Sequence, residues 1–407
     1  VTAAPPRIAI VAGEPSGDLL GAELVRALRD RGLAGEVYGI GGPRMRAAGV
    51  SILEPLDPLA VRGYVEVLRN YRAIRAIRSR LLGRLLGDRP DLYIGVDAPD
   101  FNLGVEARLR RAGIATLQYV VPAIWAWRAH RVRLLARAAD HVLALFPFEV
   151  PLLEAHGIGA TYIGHPLADL TPEVPDQPAA RAQLRLPPAA PVFALLPGSR
   201  IAELEQHAGL CIETAVRLRE RVPEAQFLVP LATRETRECF ERALHQHAGG
   251  GELPLQVLFG HAALAITAAD VVLVASGTAS LETALLRRPM VITYRMPDLS
   301  WRIMRRRGLL PFGGLPNILS GRFVVPELIQ EQASADNLAQ ALANLYFDRG
   351  VRERIAGHFA SLYRELRRGS AARAADAVER LLAARLPTAT GRPALPAGRA
   401  GQTGHGR

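Results

Sequence analysis

Short apolar runs alternate with longer amphipathic ones from one end of the chain to the other. Ile8-Ala9-Ile10-Val11-Ala12 and Val271-Val272-Leu273-Val274-Ala275 have no polar position at all. Such runs mark strands buried on both faces of a sheet. Strand-like runs fall at 7–12, 36–40, 91–96, 116–121, 141–145 and 161–163, and again at 192–196, 226–230, 255–258, 271–275 and 290–294. Helix-length segments with apolar residues at three- and four-residue spacing lie between many of them. The alternation predicts an α/β protein whose parallel sheets are covered by helices.

A chain of 407 residues exceeds one typical core. Thr171-Pro172-Glu173-Val174-Pro175-Asp176-Gln177-Pro178 is a proline-punctuated linker that divides it. Ala138-Ala139-Asp140-His141-Val142-Leu143 is echoed by Ala268-Ala269-Asp270-Val271-Val272-Leu273, each leading into a strand late in its half. The expectation is two similar Rossmann-like domains, 1–170 and 171–344, with ligands between them at the strand C-terminal ends. Helices over 345–385 are expected to return to the first domain. The Gly-, Pro- and Arg-rich tail 386–407 is expected to be disordered.

Several strand ends carry candidate chemistry. Ala275-Ser276-Gly277-Thr278-Ala279-Ser280-Leu281-Glu282 opens a helix directly after a strand. Small residues there let backbone N–H groups approach an anion, and the helix N-terminus adds its positive end. Ser276, Gly277, Thr278 and Ser280 would seat a nucleotide diphosphate, with Glu282 on the ribose diol; the alternative is an ordinary capped strand–turn–helix junction. Pro197-Gly198-Ser199-Arg200 ends the strand 192–196, and Arg200 can grip a diphosphate bidentately.

In the first half, Gly13-Glu14-Pro15-Ser16-Gly17-Asp18 follows the first strand. Ser16 and Asp18 are candidate helix caps, but a cap needs only one of them and does not explain Glu14, which favours a substrate role. Asp97-Ala98-Pro99-Asp100-Phe101-Asn102 follows the strand 91–96. Asp97, nearer the strand tip, is the candidate general base, and Asp100 a cap, anchor or substrate contact. Asn317, in Leu315-Pro316-Asn317, is a candidate hydrogen-bond donor to substrate. Trp125, in the apolar loop Tyr119–Arg128, suits an acyl or sugar contact.

Composition narrows the chemistry. The net charge is +11, and all 50 residues counted as lysine or arginine are arginine. That excludes a Walker-type phosphate lysine and a pyridoxal Schiff base. A basic chain suits an acidic partner: nucleic acid, anionic lipid or a phosphorylated substrate. Cys211 and Cys239 match no metal or redox spacing, and no Asp-x-Asp or HExxH pattern occurs, so no metal and no cofactor are expected. Gly39-Ile40-Gly41-Gly42-Pro43-Arg44 has Arg44 where a dinucleotide motif places its third glycine, which argues against a nicotinamide cofactor. No apolar run reaches the roughly 18–20 residues that span a bilayer. Val1–Pro6 lacks the charged start of a signal peptide, so a cytoplasmic protein is expected. The segment 63–85 reads as a basic amphipathic helix, with Val65, Val67, Leu68, Tyr71 and Ile74 bordered by Arg62, Arg69 and Arg72. It fits either an anionic membrane surface or ordinary packing on a sheet. Trp301–Phe312 is a second basic-apolar segment.

Taken together, these loops resemble the lipid A disaccharide synthases, GT-B glycosyltransferases of family 19. The resemblance runs from about Arg7 to Leu382. It rests on the Gly13–Asp18, Asp97–Asn102, Trp125–Arg128, Pro197–Arg200, Ser276–Glu282 and Leu315–Asn317 motifs. It implies a GT-B fold, two Rossmann-like domains facing a central cleft. It implies inverting transfer of 2,3-diacylglucosamine from UDP to the 6-hydroxyl of 2,3-diacylglucosamine 1-phosphate, giving a β-1,6 disaccharide. Asp97 would be the base and Arg200 would steady the departing diphosphate, with Gly198, Ser199, Ser276, Gly277, Thr278 and Glu282 on UDP. Glu14, Ser16, Asp18, Asp100, Trp125 and Asn317 would contact the sugars. The resemblance also implies peripheral attachment to the inner face of the cytoplasmic membrane, with no nucleic-acid partner, and leaves a homodimer open. Val121 and Ala123 stand where the family pattern suggests serines, so no hydroxyl contact is implied there. The rival readings are a UDP-sugar 2-epimerase, a lipid-linked N-acetylglucosaminyl transferase, and a non-catalytic nucleotide-sugar or lipid binding protein.

Overall fold

The computed structural model describes residues 5–59, 64–122, 131–247, 252–297, 301 and 312–384, without the side chains of 64–71. Its first sheet is formed by β1 (Ile8–Ala12), β2 (Val37–Gly41), β3 (Ser51–Pro55), β4 (Leu92–Val96), β5 (Ala115–Tyr119), β6 (His141–Ala144) and β7 (Ala160–Tyr162). The second is formed by β8 (Val192–Leu196), β9 (Gln226–Leu231), β10 (Leu255–Phe259), β11 (Val271–Ala275), β12 (Met290–Tyr294) and β13 (Glu327–Ile329). The strand orders are β3-β2-β1-β4-β5-β6-β7 and β10-β9-β8-β11-β12-β13, and the strands of both sheets pair in parallel. Each sheet therefore reverses its winding once, between β1 and β4 and between β8 and β11. Open parallel sheets bind ligands at such switch points, beyond the strand C-termini.

The central strands are buried along their whole length, as their unbroken apolar runs require. Two strands were not anticipated. β3 is a half-exposed edge strand whose sequence, Ser-Ile-Leu-Glu-Pro, offers two apolar residues. β13 is a three-residue edge. An edge strand buries little, so its sequence carries little pattern.

The sequence echo has a physical counterpart. Asp140 accepts from the Thr116 N–H at 2.9 Å, and Asp270 from the Val192 N–H at 2.9 Å. Each carboxylate ties the start of its strand to the central neighbour and pairs with an arginine from a covering helix, Arg110 at 2.8 Å and Arg181 at 2.9 Å.

The chain passes between the sheets near 163–176 and passes back after the helix Arg349–Leu366. The two passages touch. His165 N–H donates to the Leu366 carbonyl at 2.8 Å, Tyr363 hydroxyl to the Thr171 carbonyl at 3.0 Å, and Gly369 and Ser370 N–H to Asp169. The helix Ser370–Ala383 then packs on the helix Pro15–Asp30, where Arg31 pairs with Asp376. Helix Tyr64–Asp88 contributes Ile77, Leu81, Leu82 and Leu85 to the core beside β1, β2 and β4. Its described half is thus a packed surface helix with Arg72 and Arg75 exposed. No helix among the described residues is long and apolar enough to cross a membrane.

Candidate active site

The loops after β8 and β11 enclose a cavity of about 420 Å³. Gly198, Ser199, Arg200, Ser276, Gly277, Thr278 and Glu282 all line it. Gly198 adopts φ 125°, and a Cβ there would sit 2.6 Å from Glu203 Cβ, so only glycine lets the loop fold back on its helix. The helix Thr278–Leu285 begins at Gly277 with no side-chain cap, which leaves first-turn N–H groups for a ligand. Ser276 donates its hydroxyl to the Gly313 carbonyl at 2.6 Å. Ser280 is fully buried and donates to the Gly277 carbonyl, so its hydroxyl shapes the turn rather than the cavity. Burial pushes the Glu282 carboxyl up.

Glu203 and Tyr294 also line this cavity and were not anticipated. The Glu203 carboxylate accepts from Ser199 N–H and from Arg200 Nη1, both at 2.9 Å. It stands three residues after the N-cap Arg200, where a carboxylate also meets the positive end of the helix Ile201–Arg221. Arg200 keeps a half-exposed side chain facing this loop.

In the first sheet, the loops after β1 and β4 meet. A Cβ on Gly13 would lie 2.7 Å from Ala98 Cβ. This contact sets the loop that carries Glu14, half-buried, and Ser16, exposed, against the loop that carries Asp97. Asp97 and Ala98 are consecutive non-glycine residues at φ 51° and 42°. Such backbone costs of order 1–3 kcal/mol per residue and persists only where its surroundings enforce it. The enforcement is visible. Asp97 N–H donates to the Tyr119 carbonyl at 2.8 Å, while the Asp97 carbonyl accepts from Asn102 Nδ2 at 2.8 Å and Gln118 Nε2 at 3.3 Å. Asn102 is fully buried, and Tyr93 donates to its oxygen at 2.9 Å.

Two expectations need correction and a third narrows. Asp18 does not cap its own helix and is no open contact: it is buried and accepts from Gly42, Arg44 and Met45 N–H at 2.7–3.0 Å, which caps the helix Pro43–Ala47 and fixes the loop after β2. Asn317 is fully buried and saturated. It donates to the Val325 carbonyl and to Glu327, and accepts from Val324 and Val325 N–H. It holds the segment 313–327, with Glu327 also accepting from Gly313 and Gly314 N–H. Of the readings for Asp100, the anchor fits: the helix Pro99–Arg111 starts at Ala98 without a side-chain cap, and Asp100 pairs with Arg131 at 2.5 Å. Trp125, Arg62 and most of Trp301–Phe312 lie outside the described residues, as do the side chains of Val65, Val67, Leu68, Arg69 and Tyr71.

A family model described as lipid-A-disaccharide synthetase matches residues 8–379. The chain belongs to this family. It is 54% identical over 372 residues to a lipid-A-disaccharide synthase of Aromatoleum aromaticum, covering 91% of this chain and 95% of the relative. It is 52% identical to that of Chromobacterium violaceum, covering 91% and 96%. This family member is a glycosyltransferase with the GT-B fold. Solved structures agree on the fold. The calicheamicin glycosyltransferase CalG4 is 17% identical with a TM-score of 0.56, covering 94% of this chain and all 100% of that one. The UDP-GlcNAc 2-epimerase of Neisseria meningitidis bound to UDP-GlcNAc is 12% identical with a TM-score of 0.58, covering 93% and 100%.

Proposed function

We propose that this transferase moves 2,3-diacylglucosamine from UDP to the 6-hydroxyl of 2,3-diacylglucosamine 1-phosphate, with inversion. The observation that carries the reading is the placement of both loop pairs at the switch points of two parallel sheets. One pair offers a carboxylate on an enforced turn, and the other offers an arginine and a helix N-terminus around a cavity.

Asp97 takes the acceptor hydroxyl proton as that oxygen attacks the donor anomeric carbon. The bond from that carbon to the diphosphate breaks, and UDP leaves with the electron pair. Arg200, its Nη1 steadied by Glu203, and the helix N-terminus at Gly277–Thr278 meet the charge that builds on the diphosphate. The Ser199 N–H, taken by Glu203, holds the loop in shape. Glu282, its carboxyl pushed up by burial, holds the ribose. Glu14 and Ser16 orient the acceptor. Asp18 and Asn317 act one step back, by holding the loops that carry these contacts. In this reading 1–170 serve the acceptor, 171–344 serve UDP, and 345–385 belong with the first domain. Peripheral membrane attachment rests on the amphipathic sequence near 63–78 and on the net charge of +11.

The test is a mass spectrum of the product from UDP-diacylglucosamine and the 1-phosphate acceptor. The expected product is a tetra-acylated disaccharide 1-phosphate, with UDP released only when both sugars are present. An epimerised donor formed without acceptor would overturn the reading. The nucleotide seat has its own test. Arg200→Ala is expected to weaken UDP binding by about 1.5 kcal/mol, the low end for a charged hydrogen bond because this side chain is half-exposed. Calorimetry that finds UDP affinity unchanged in both Arg200→Ala and Glu282→Ala would refute the seat.

A further inference from the structure

Two arginines converge on Asp100, three residues after the proposed base. Arg131, from the helix Arg131–Ala138, places Nη2 2.5 Å from Asp100 Oδ1. Arg78, from the helix Tyr64–Asp88, donates Nη2 to the Asp100 backbone carbonyl at 2.8 Å, and its guanidinium lies 5.0 Å from the Phe101 ring centroid. The ion pair is lopsided: the Arg131 side chain is 12% exposed and that of Asp100 83%. An ordinary surface pair leaves both partners in water and contributes little. Here the guanidinium is largely desolvated, while its carboxylate partner faces solvent. That is the arrangement of an anion site whose own side chain keeps the place.

We propose that Arg78 and Arg131 bind the anomeric phosphate of the acceptor, a sugar phosphomonoester, which displaces the Asp100 carboxylate. The proposal rests on the transferase reading above. A phosphomonoester carries more charge than a carboxylate and offers three acceptor oxygens, and the planar guanidinium fork matches its geometry. In a hexose, the carbon bearing the C6 arm and the carbon bearing the phosphate flank the ring oxygen, so the reacting hydroxyl and the phosphate sit one ring apart. Asp97, on the turn, and Asp100, in the first turn of the helix Pro99–Arg111, stand at the same end of that helix.

The test compares two acceptors, 2,3-diacylglucosamine 1-phosphate and the methyl glycoside of the same diacylglucosamine, on full-length protein. Arg131→Gln and Arg78→Gln are each expected to raise KM for the phosphorylated acceptor roughly ten- to hundredfold. The preference for phosphate should collapse, with KM for the UDP-sugar unchanged. Asp100→Asn, which removes the competing charge, should lower KM for the phosphorylated acceptor, whereas a purely structural pair would give a loss. Variants that keep the wild-type preference, or that lose both acceptors by one common factor, overturn the site. A wild type that forms a disaccharide while the variants keep that preference refutes this site alone. A wild type that forms none from either acceptor refutes the transferase reading, and this site with it.

Discussion

Asp97→Asn is expected to lower turnover by roughly 10²–10⁴-fold, the range for losing a general base, with fold and UDP affinity retained. The substitution keeps the side-chain volume and removes the charge and with it the capacity to take a proton. The backbone of the turn should survive it, because the contacts that enforce it reach main-chain atoms: Tyr119 carbonyl on the Asp97 N–H, and Asn102 and Gln118 amides on its carbonyl. UDP affinity should survive because the nucleotide cavity is lined by the loops after β8 and β11. The two measurements are single-turnover product formation and UDP calorimetry. Near-normal turnover at neutral pH would remove Asp97 from the chemistry and turn attention to Glu14. A parallel loss of UDP binding would show instead that the turn itself had collapsed.

The contrast between Asp97 and Asn317 shows what the sequence reveals and what it hides. Runs such as Val271–Ala275 announce central strands because burial on both faces leaves no room for polar residues. The loops at their C-terminal ends are then placed by topology alone, which is why Ser276, Thr278, Glu282 and Arg200 could be gathered from sequence and do share one cavity. Asn317 and Asp18 looked equally suited to a substrate. Their partners are backbone groups of Val324 and Val325, and of Gly42, Arg44 and Met45, brought near by tertiary folding. Nothing in the residue type separates an amide that meets a ligand from one that holds a loop. Likewise β3 and β13 are edges, and their half-exposed sequences carry no period to read.

The second large effect concerns Glu106, which no motif or spacing marks out. It lies on the helix Pro99–Arg111, fully buried, and neither carboxylate oxygen has a hydrogen-bond partner among the described residues. It occupies the space opposite Gly95 of β4, where any Cβ would collide with its Oε1. Burial pushes its carboxyl from the usual 4.5 up to about 8. Below about pH 4.5 the folded and unfolded chains both carry the proton, and the group contributes no penalty. Between 4.5 and 8 the unfolded chain ionises while the folded chain does not, so stability falls as pH rises. Above 8 both ionise and the loss levels off. At 1.36 kcal/mol per pH unit, the loss at pH 7 is about 3 kcal/mol. Glu106→Gln keeps the shape of the protonated side chain and cannot ionise. It is therefore expected to raise the unfolding free energy by about 3 kcal/mol at pH 7, and to leave it nearly unchanged at pH 4. Urea unfolding of both proteins across this range is the measurement. Curves that run parallel from pH 4 to 8 would show that Glu106 ionises in the folded chain over the same range as in the unfolded one. The carboxyl would then have to be compensated inside the fold by a partner that its surroundings, Tyr93, Gly95 and Asn102, do not supply.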